Sequence, residues 1–195
     1  EEFNSYGTHS ALAEYYKKRT GSLGPLRSWM DREWHRPDID VRSSEIHTLI
    51  TQGNFPRIYT TNYDRWLEMA HAAHQVPYHK VSSAAHLVSL TENERHIIKL
   101  HGDFDDDASL VLDESSYFER LNFDTPLDVK LTHDVMGNSV LFVGYSISDF
   151  NIRLLFYRLT KMWGRTGLAS ARPKSYLFTN RYNPVAKEVL GQWGI

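Results

Sequence analysis

At 195 residues, with 41% hydrophobic and 13% aromatic content, the chain has the composition of one globular domain with a sizeable core, which excludes a disordered segment. Its formal charge of −2 gives no overall basic balance towards nucleic acid or an anionic membrane, and the lack of cysteine excludes disulfides, thiol nucleophiles and cysteine-ligated zinc. No apolar run approaches the ~20 residues that cross a bilayer and no secretory signal pattern opens the chain, so no membrane partner and a cytoplasmic location are expected.

The first fifty-odd residues read as helical. Leu12, Ala13, Tyr15 and Tyr16 recur at helical spacing over His9 to Lys18, and Gly21 and Gly24 interrupt them. Pro25 suits the first turn of a second helix running to about His35. Ser43, Ser44 and Glu45 open a third, with Ile46, Leu49 and Ile50 on one face and Gly53 to stop it. Trp29 and Trp34 fit core or groove packing better than chemistry.

A strand over Arg57 to Thr61 follows, then a helix carrying Trp66, Leu67, Met69 and Ala70 that Pro77 closes off. Tyr78 to Val81 suits a short strand, and His96 to Leu100 a clearer one. Asp105-Asp106-Asp107 reads as a solvated turn, Asp113 as the cap of a helix to Leu121, and Thr125-Pro126-Leu127-Asp128 as the start of another to Met136. Ser139 to Val143 is apolar on both faces, as a buried parallel strand should be. A helix from about Phe150 to Trp163, a basic loop over Gly164 to Pro173, a strand at Tyr176 to Phe178 and a helix from Pro184 to Leu190 complete the chain. Strands separated by helices predict an α/β fold, a parallel sheet with helices on both faces behind a helical N-terminal segment. One domain over 1–195 is expected, with 1–54 helical and 55–195 forming the core.

Four strands end in polar, turn-forming groups: Thr60-Thr61-Asn62, His101-Gly102-Asp103, Gly144-Tyr145-Ser146 and Thr179-Asn180. Parallel strands put such ends on one edge, where open α/β sheets bind ligands. Asn62 both donates and accepts hydrogen bonds without titrating, and His101 suits proton transfer near neutral pH. Gly102 lets backbone approach a ligand, Gly144 and Ser146 offer N–H and hydroxyl groups before a helix, and Asn180 suits a ribose contact. The set fits a nucleotide. Asp64 and Asp149 open helices and equally suit capping. His71, His74 and His79 have no acidic ligand in a fixed place beside them, so no metal is expected. Arg57, Lys99 and Arg153 fit either a phosphate or an internal ion pair.

Thr60-Thr61-Asn62-Tyr63-Asp64, Lys99-Leu100-His101-Gly102-Asp103 and the run from Phe142 through Gly144-Tyr145-Ser146-Ile147-Ser148-Asp149 to Arg153 resemble, in order and spacing, the motifs of sirtuin-like domains. They are closest to the branch found in bacterial antiphage defence proteins, and the resemblance covers Ser44 to Asn180. It implies a Rossmann-like core and cleavage of NAD+ as substrate, with Asn62 and His101 catalytic. It also implies an NAD-binding set of Thr60, Thr61, Asp64, Gly102, Asp103, Gly144, Tyr145, Ser146, Asp149 and Asn180. The zinc ribbon of deacylase sirtuins is missing, which points to the NAD-hydrolysing branch. The Gly-Ala-Gly first strand and loop that cradles the pyrophosphate is missing too, and Gly164-Arg165-Thr166-Gly167 does not substitute for it. With no initiator Met, that first glycine-rich β-α unit is expected to belong to the natural protein and to lie outside this sequence.

The reading is therefore an NAD+ hydrolase that depletes NAD in abortive-infection defence. A non-catalytic NAD or ADP-ribose sensor is the alternative, and a protein deacylase the weaker third. The resemblance further implies a homo-oligomer and an associated ATPase or nuclease subunit. With neither a basic stripe nor aromatic–basic interleaving apparent along the chain, direct nucleic-acid binding is not expected.

Overall fold

In the computed structural model, which describes residues 7–91, 93–145, 150–167 and 169–195, three parallel strands organise the first of two compact units, Glu1–Arg120. Strands β1 (Arg57–Thr60), β2 (His79–Val81) and β3 (His96–Lys99) lie in the order β1-β3-β2. Register pairs Thr60 with Lys99 and His79 with His96. Being paired on both sides, β3 is buried along its whole length, which its apolar Ile97 and Ile98 permit.

Helices α1 (His9–Thr20), α2 (Gly24–Trp34) and α3 (Glu45–Gln52) precede β1, as the sequence predicts within two residues at each end. The Thr8 hydroxyl accepts the Ala11 N–H at the start of α1, Gly21 ends it at φ 83°, and Pro25 occupies the first turn of α2. Beyond α3 the chain needs partners for its orphan carbonyls. The Arg95 guanidinium supplies them, donating to the carbonyls of Thr51 and Gly53 and so fixing the entry to β1.

Between the strands run α4 (Trp66–Ala73) and α5 (Ala84–Val88), and α6 (Glu114–Arg120) closes the unit. Asp113 caps α6 through the Ser116 N–H and pairs with Lys17 of α1 at 2.9 Å. Met30 of α2 packs with Phe104 and Leu110, and Leu26, Tyr63 and Leu112 cover this cluster. Of the two tryptophans expected to pack, Trp34 does so, its ring 5.7 Å from that of Phe104, while Trp29 is 51% exposed.

The second unit, Leu121–Ile195, holds α7 (Pro126–Gly137), β4 (Leu141–Phe142), α8 (Phe150–Thr166), β5 (Tyr176–Leu177) and α9 (Pro184–Gly191). Thr125 and Asp128 form a reciprocal capping box at the head of α7. β4 and β5 are parallel, pairing Phe142 with Leu177. Ile152, Leu155, Phe156 and Leu159 form the buried face of α8, with the Phe156 ring 5.4 Å from Phe142. Two expectations are corrected here. The predicted buried strand at Ser139 to Val143 is only two residues long, and Leu141 is 47% exposed because β4 has one strand partner among the described residues. The predicted loop after Trp163 is helical to Thr166, with a 3-10 turn at Ala169–Ala171.

One buried side chain makes the first unit sensitive to acid. His71, in α4, has Nδ1 2.7 Å from the Leu67 carbonyl and Nε2 3.2 Å from Arg95. Arginine can only donate, so Nε2 accepts and Nδ1 carries the proton. Burial first, and the Arg95 charge with it, hold the imidazole below its ordinary value of 6.5 despite the Leu67 bond. The unfolded chain therefore binds this proton more readily. The stability gained from neutral His71 is complete above pH 6.5 and is lost as pH falls through the folded value. Thermal melts between pH 7.5 and pH 5 should show a falling midpoint, and a smaller fall in His71→Gln; equal falls would reject the assignment.

Candidate active site

The parallel register sets out the site. Asn62 and His101 each lie two residues beyond the paired Thr60 and Lys99, and the Leu100 N–H donates to the Thr60 carbonyl at 2.9 Å. The two loops thus leave the sheet side by side at its carboxyl edge, the edge at which α/β sheets take ligands.

Lys99 holds both loops. Its side chain is fully buried, a costly position for a charge unless every proton is met. The three ammonium donors reach the Tyr63 carbonyl at 2.9 Å, the Asp64 carbonyl at 2.7 Å and Glu68 Oε1 at 2.9 Å. Asp103 Oδ2 lies 3.0 Å away as a further counter-charge. One cation therefore joins the loop after β1, helix α4 and the loop after β3. Of the two roles the sequence left open for Lys99, the structure takes the internal ion pair.

The charges continue outward in alternation. Asp103 also meets Lys80 of β2 at 3.2 Å, Lys80 meets Asp105, and Arg65 bridges Asp105 at 3.0 Å to Asp31 of α2 at 3.1 Å. Asp31 Oδ1 is 2.8 Å from Nδ1 of His35, whose Nε2 accepts the Arg65 N–H at 2.8 Å, so that ring carries its proton on Nδ1. Burial pushes the Asp103 carboxyl up, but the Asp105 N–H, Lys99 and Lys80 outweigh it and hold the group below its ordinary value. Burial likewise pushes Lys80 down, and Asp105 and Asp103 prevail to raise it.

On this frame the expected residues take different positions. Asn62 is exposed; its N–H donates to Thr60 Oγ1 at 3.0 Å, and its side-chain amide bonds to nothing among the described residues. Thr60 and Thr61 are half-buried beside it. Asp64 caps α4 through the Trp66 N–H at 3.1 Å, so its carboxylate is used in the fold. His101 is buried with its ring edge-on to Tyr117, centroids 5.5 Å apart. Gly102 was expected to admit a ligand. It has φ 89° and a Cβ there would lie 2.1 Å from the Ser109 carbonyl, so the close approach is to the chain itself. The Asp103 carboxylate is inside the clamp.

In the second unit Gly144 is exposed at φ 62° with open space around it, two residues past the Phe142–Leu177 pair. Tyr145 stacks on Phe142 at 5.9 Å. Asn180, three residues beyond that pair, is exposed at the same edge of this smaller sheet. Ser146 and Asp149 lie outside the described residues.

The histidines considered for a metal are used otherwise: His71 as above, His74 on Thr48 at 3.2 Å and His79 4.0 Å from Glu94. Among the described residues no group of three His, Asp or Glu side chains is placed to hold a metal ion, and no helix is long and apolar enough to cross a membrane. Sequence reasoning missed the chain of charges through Lys80, Arg65, Asp31 and His35. The available signal was a lysine closing an apolar strand four residues before an aspartate.

Residues 56–195 match the family model described as a SIR2-like domain. Over 158 residues the chain is 28% identical to Defense-associated sirtuin 2 of Bacillus subtilis, covering 78% of this chain and 15% of that protein. It is 24% identical over 181 residues to the NAD(+) hydrolase ThsA of Cytobacillus dafuensis, covering 91% and 35% respectively. It is 26% identical over 144 residues to that of Enterococcus faecium, covering 72% and 30%. The chain thus spans between 15% and 35% of the length of these curated relatives.

Replacing Lys99 by Met leaves Glu68 buried without a cation and Asp103 with Lys80 alone, a change that costs about 3–5 kcal/mol in comparable sites. Guanidinium unfolding of Lys99→Met should show a loss of that order. A loss below about 1 kcal/mol, the range of a surface pair, would contradict the clamp.

Proposed function

The chain belongs to the SIR2-like domain family, and from that premise we propose that it hydrolyses NAD+ to nicotinamide and ADP-ribose. The observation that carries this reading is Asn62: an exposed amide with its hydrogen-bonding capacity unspent, on a clamped loop in register with the loop of His101. The hydrolase names of the ThsA relatives support it.

The chemistry asks little of an acid. Water oxygen bonds to ribose C1′ while the C1′–N bond breaks, its electron pair going to the pyridinium nitrogen. Nicotinamide then leaves as a neutral molecule. What the site must supply is position and a place for developing positive charge on the ribose. Asn62 orients the water or the ribose hydroxyls, its amide donating and accepting at once. His101 takes the water proton or holds a ribose hydroxyl. Thr60 and Thr61 line the nicotinamide–ribose end, Gly102 shapes it, and Asp64 and Asp103 serve from behind as cap and clamp. Gly144, Tyr145, Ser146, Asp149 and Asn180 form the phosphate and adenosine side. NAD+ is the substrate, and no metal takes part.

The family match crosses from one compact unit into the other, which supports reading 1–195 as one domain with a helical segment at 1–54 and the core at 55–195. The name of the Bacillus subtilis relative supports a place in antiphage defence, in which NAD depletion aborts infection. A cytoplasmic homo-oligomer with an ATPase or nuclease partner is the assembly we infer for that role.

Asn62→Ala should abolish nicotinamide release from NAD+, read by chromatography, with an unchanged melting temperature. Full activity in that variant would sink the assignment. Wild-type protein that binds NAD+ without releasing nicotinamide would favour a sensor instead.

A further inference from the structure

The formal charge of −2 conceals an uneven distribution. Residues 150–195 carry eight lysines and arginines against one acidic residue, Glu188. Helix α8 gathers four of the eight. Arg153, Tyr157, Lys161 and Arg165 recur every fourth residue, so they stand one above another on a single face, with Arg158 beside them. All five are exposed, on the face opposite Ile152, Leu155, Phe156 and Leu159. Among the described residues none of these four cations has an ion-pair partner. The apolar residues that alternate with them in the linear sequence hide the stripe, and only the helix brings it together.

A second observation points to a ligand. Tyr157, Lys161, Gly164, Arg165, Gln192 and Trp193 line a groove of about 560 Å³ in the second unit, a volume suited to a nucleotide-sized group. Two aromatic rings stand in its wall next to cations: Lys161 Nζ is 5.5 Å from the Tyr157 ring centre, and the Arg153 guanidinium is 5.2 Å from that of Trp193. Lys161 is eleven residues into α8, roughly 16 Å along its axis from the end that follows the β4 loop.

We propose that this groove and the basic face beside it bind single-stranded nucleic acid, with phosphates on Lys161 and Arg165 of the groove and on Arg158 outside it, and a base against Tyr157 or Trp193. Arg158, Lys161 and Arg165 are three and four residues apart, roughly 4.5 and 6 Å along the helix axis, a spacing that successive phosphates of an extended strand can meet. An acidic protein would answer the cations alone. The aromatic rings among them favour bases, which stack without regard to sequence. Whole-chain charge and the linear order of residues gave no expectation of nucleic-acid binding; the proposal departs from that expectation on the distribution of charge within the second unit.

The full chain is titrated into a fluorescein-labelled 20-nucleotide oligo-dT and followed by anisotropy, with melting curves for every variant. Binding should weaken as salt rises from 50 to 200 mM, with a log–log slope of about −0.7 per phosphate engaged. The double variant Lys161→Glu/Arg165→Glu should bind at least about tenfold more weakly. Tyr157→Ala should also weaken binding while leaving the salt slope unchanged. Lys187→Glu, in the same unit but outside the groove, should match wild type. Absence of binding at 50 mM salt would overturn the proposal. So would polyglutamate competing as well as unlabelled oligo-dT, which would mark an acidic-protein surface, or Lys187→Glu weakening binding as much as the groove variant, which would mark diffuse attraction.

Discussion

A buried ammonium needs its protons met, and the first unit is arranged around that requirement at Lys99. The acceptors for its three protons and its further counter-charge are four groups from three places in the chain: two carbonyls after β1, Glu68 on α4 and Asp103 after β3. In a medium of low polarity, removing any one acceptor leaves a charge or dipole that water cannot reach. The loops are thereby specified together. The outer charges through Lys80, Asp105, Arg65 and Asp31 are more exposed and contribute less individually. They extend the same constraint to β2 and α2, bringing the N-terminal helices into register with the sheet edge.

This arrangement divides labour among residues that look alike in the sequence. Asp64, Gly102 and Asp103 sit in the same motifs as Asn62 and His101, yet their side chains or their open space are consumed inside the fold. A motif of this kind holds two kinds of information, the residue offered to a ligand and the residues that fix its backbone. In the first unit Asn62, proposed above as the residue offered to the ligand, differs from the others in having an exposed, unbonded amide.

Much of the fold was legible because local chemistry and tertiary structure agree. Thr125 and Asp128, Pro25, Gly21 and Asp113 do in the structure what their types predict at helix ends. The strand ends also fall where polar clusters follow apolar runs. What was not legible depends on partners distant in sequence. Lys99 reads as a phosphate ligand or an ion pair until Glu68 and Asp103 are seen beside it. The length of β4 depends on what pairs with it, and a hydropathy pattern carries no record of neighbours. Arg153, Lys161 and Arg165 are spread over thirteen residues of sequence and become a stripe only through a 3.6-residue turn.

The anchoring of the loop after β1 has a thermodynamic consequence. Asn62 lies between two fixed points, its own N–H tied to the Thr60 hydroxyl and the next carbonyl tied to Lys99. Its backbone has already surrendered its conformational freedom when the chain folds. A ligand meeting the amide then orders only one short side chain, so little of the interaction is offset by immobilising the loop. If Asn62 has the role proposed for it, specificity at that position comes from geometry present before the encounter, and changes that loosen the anchor appear as an entropic penalty on binding even though they touch nothing in the ligand.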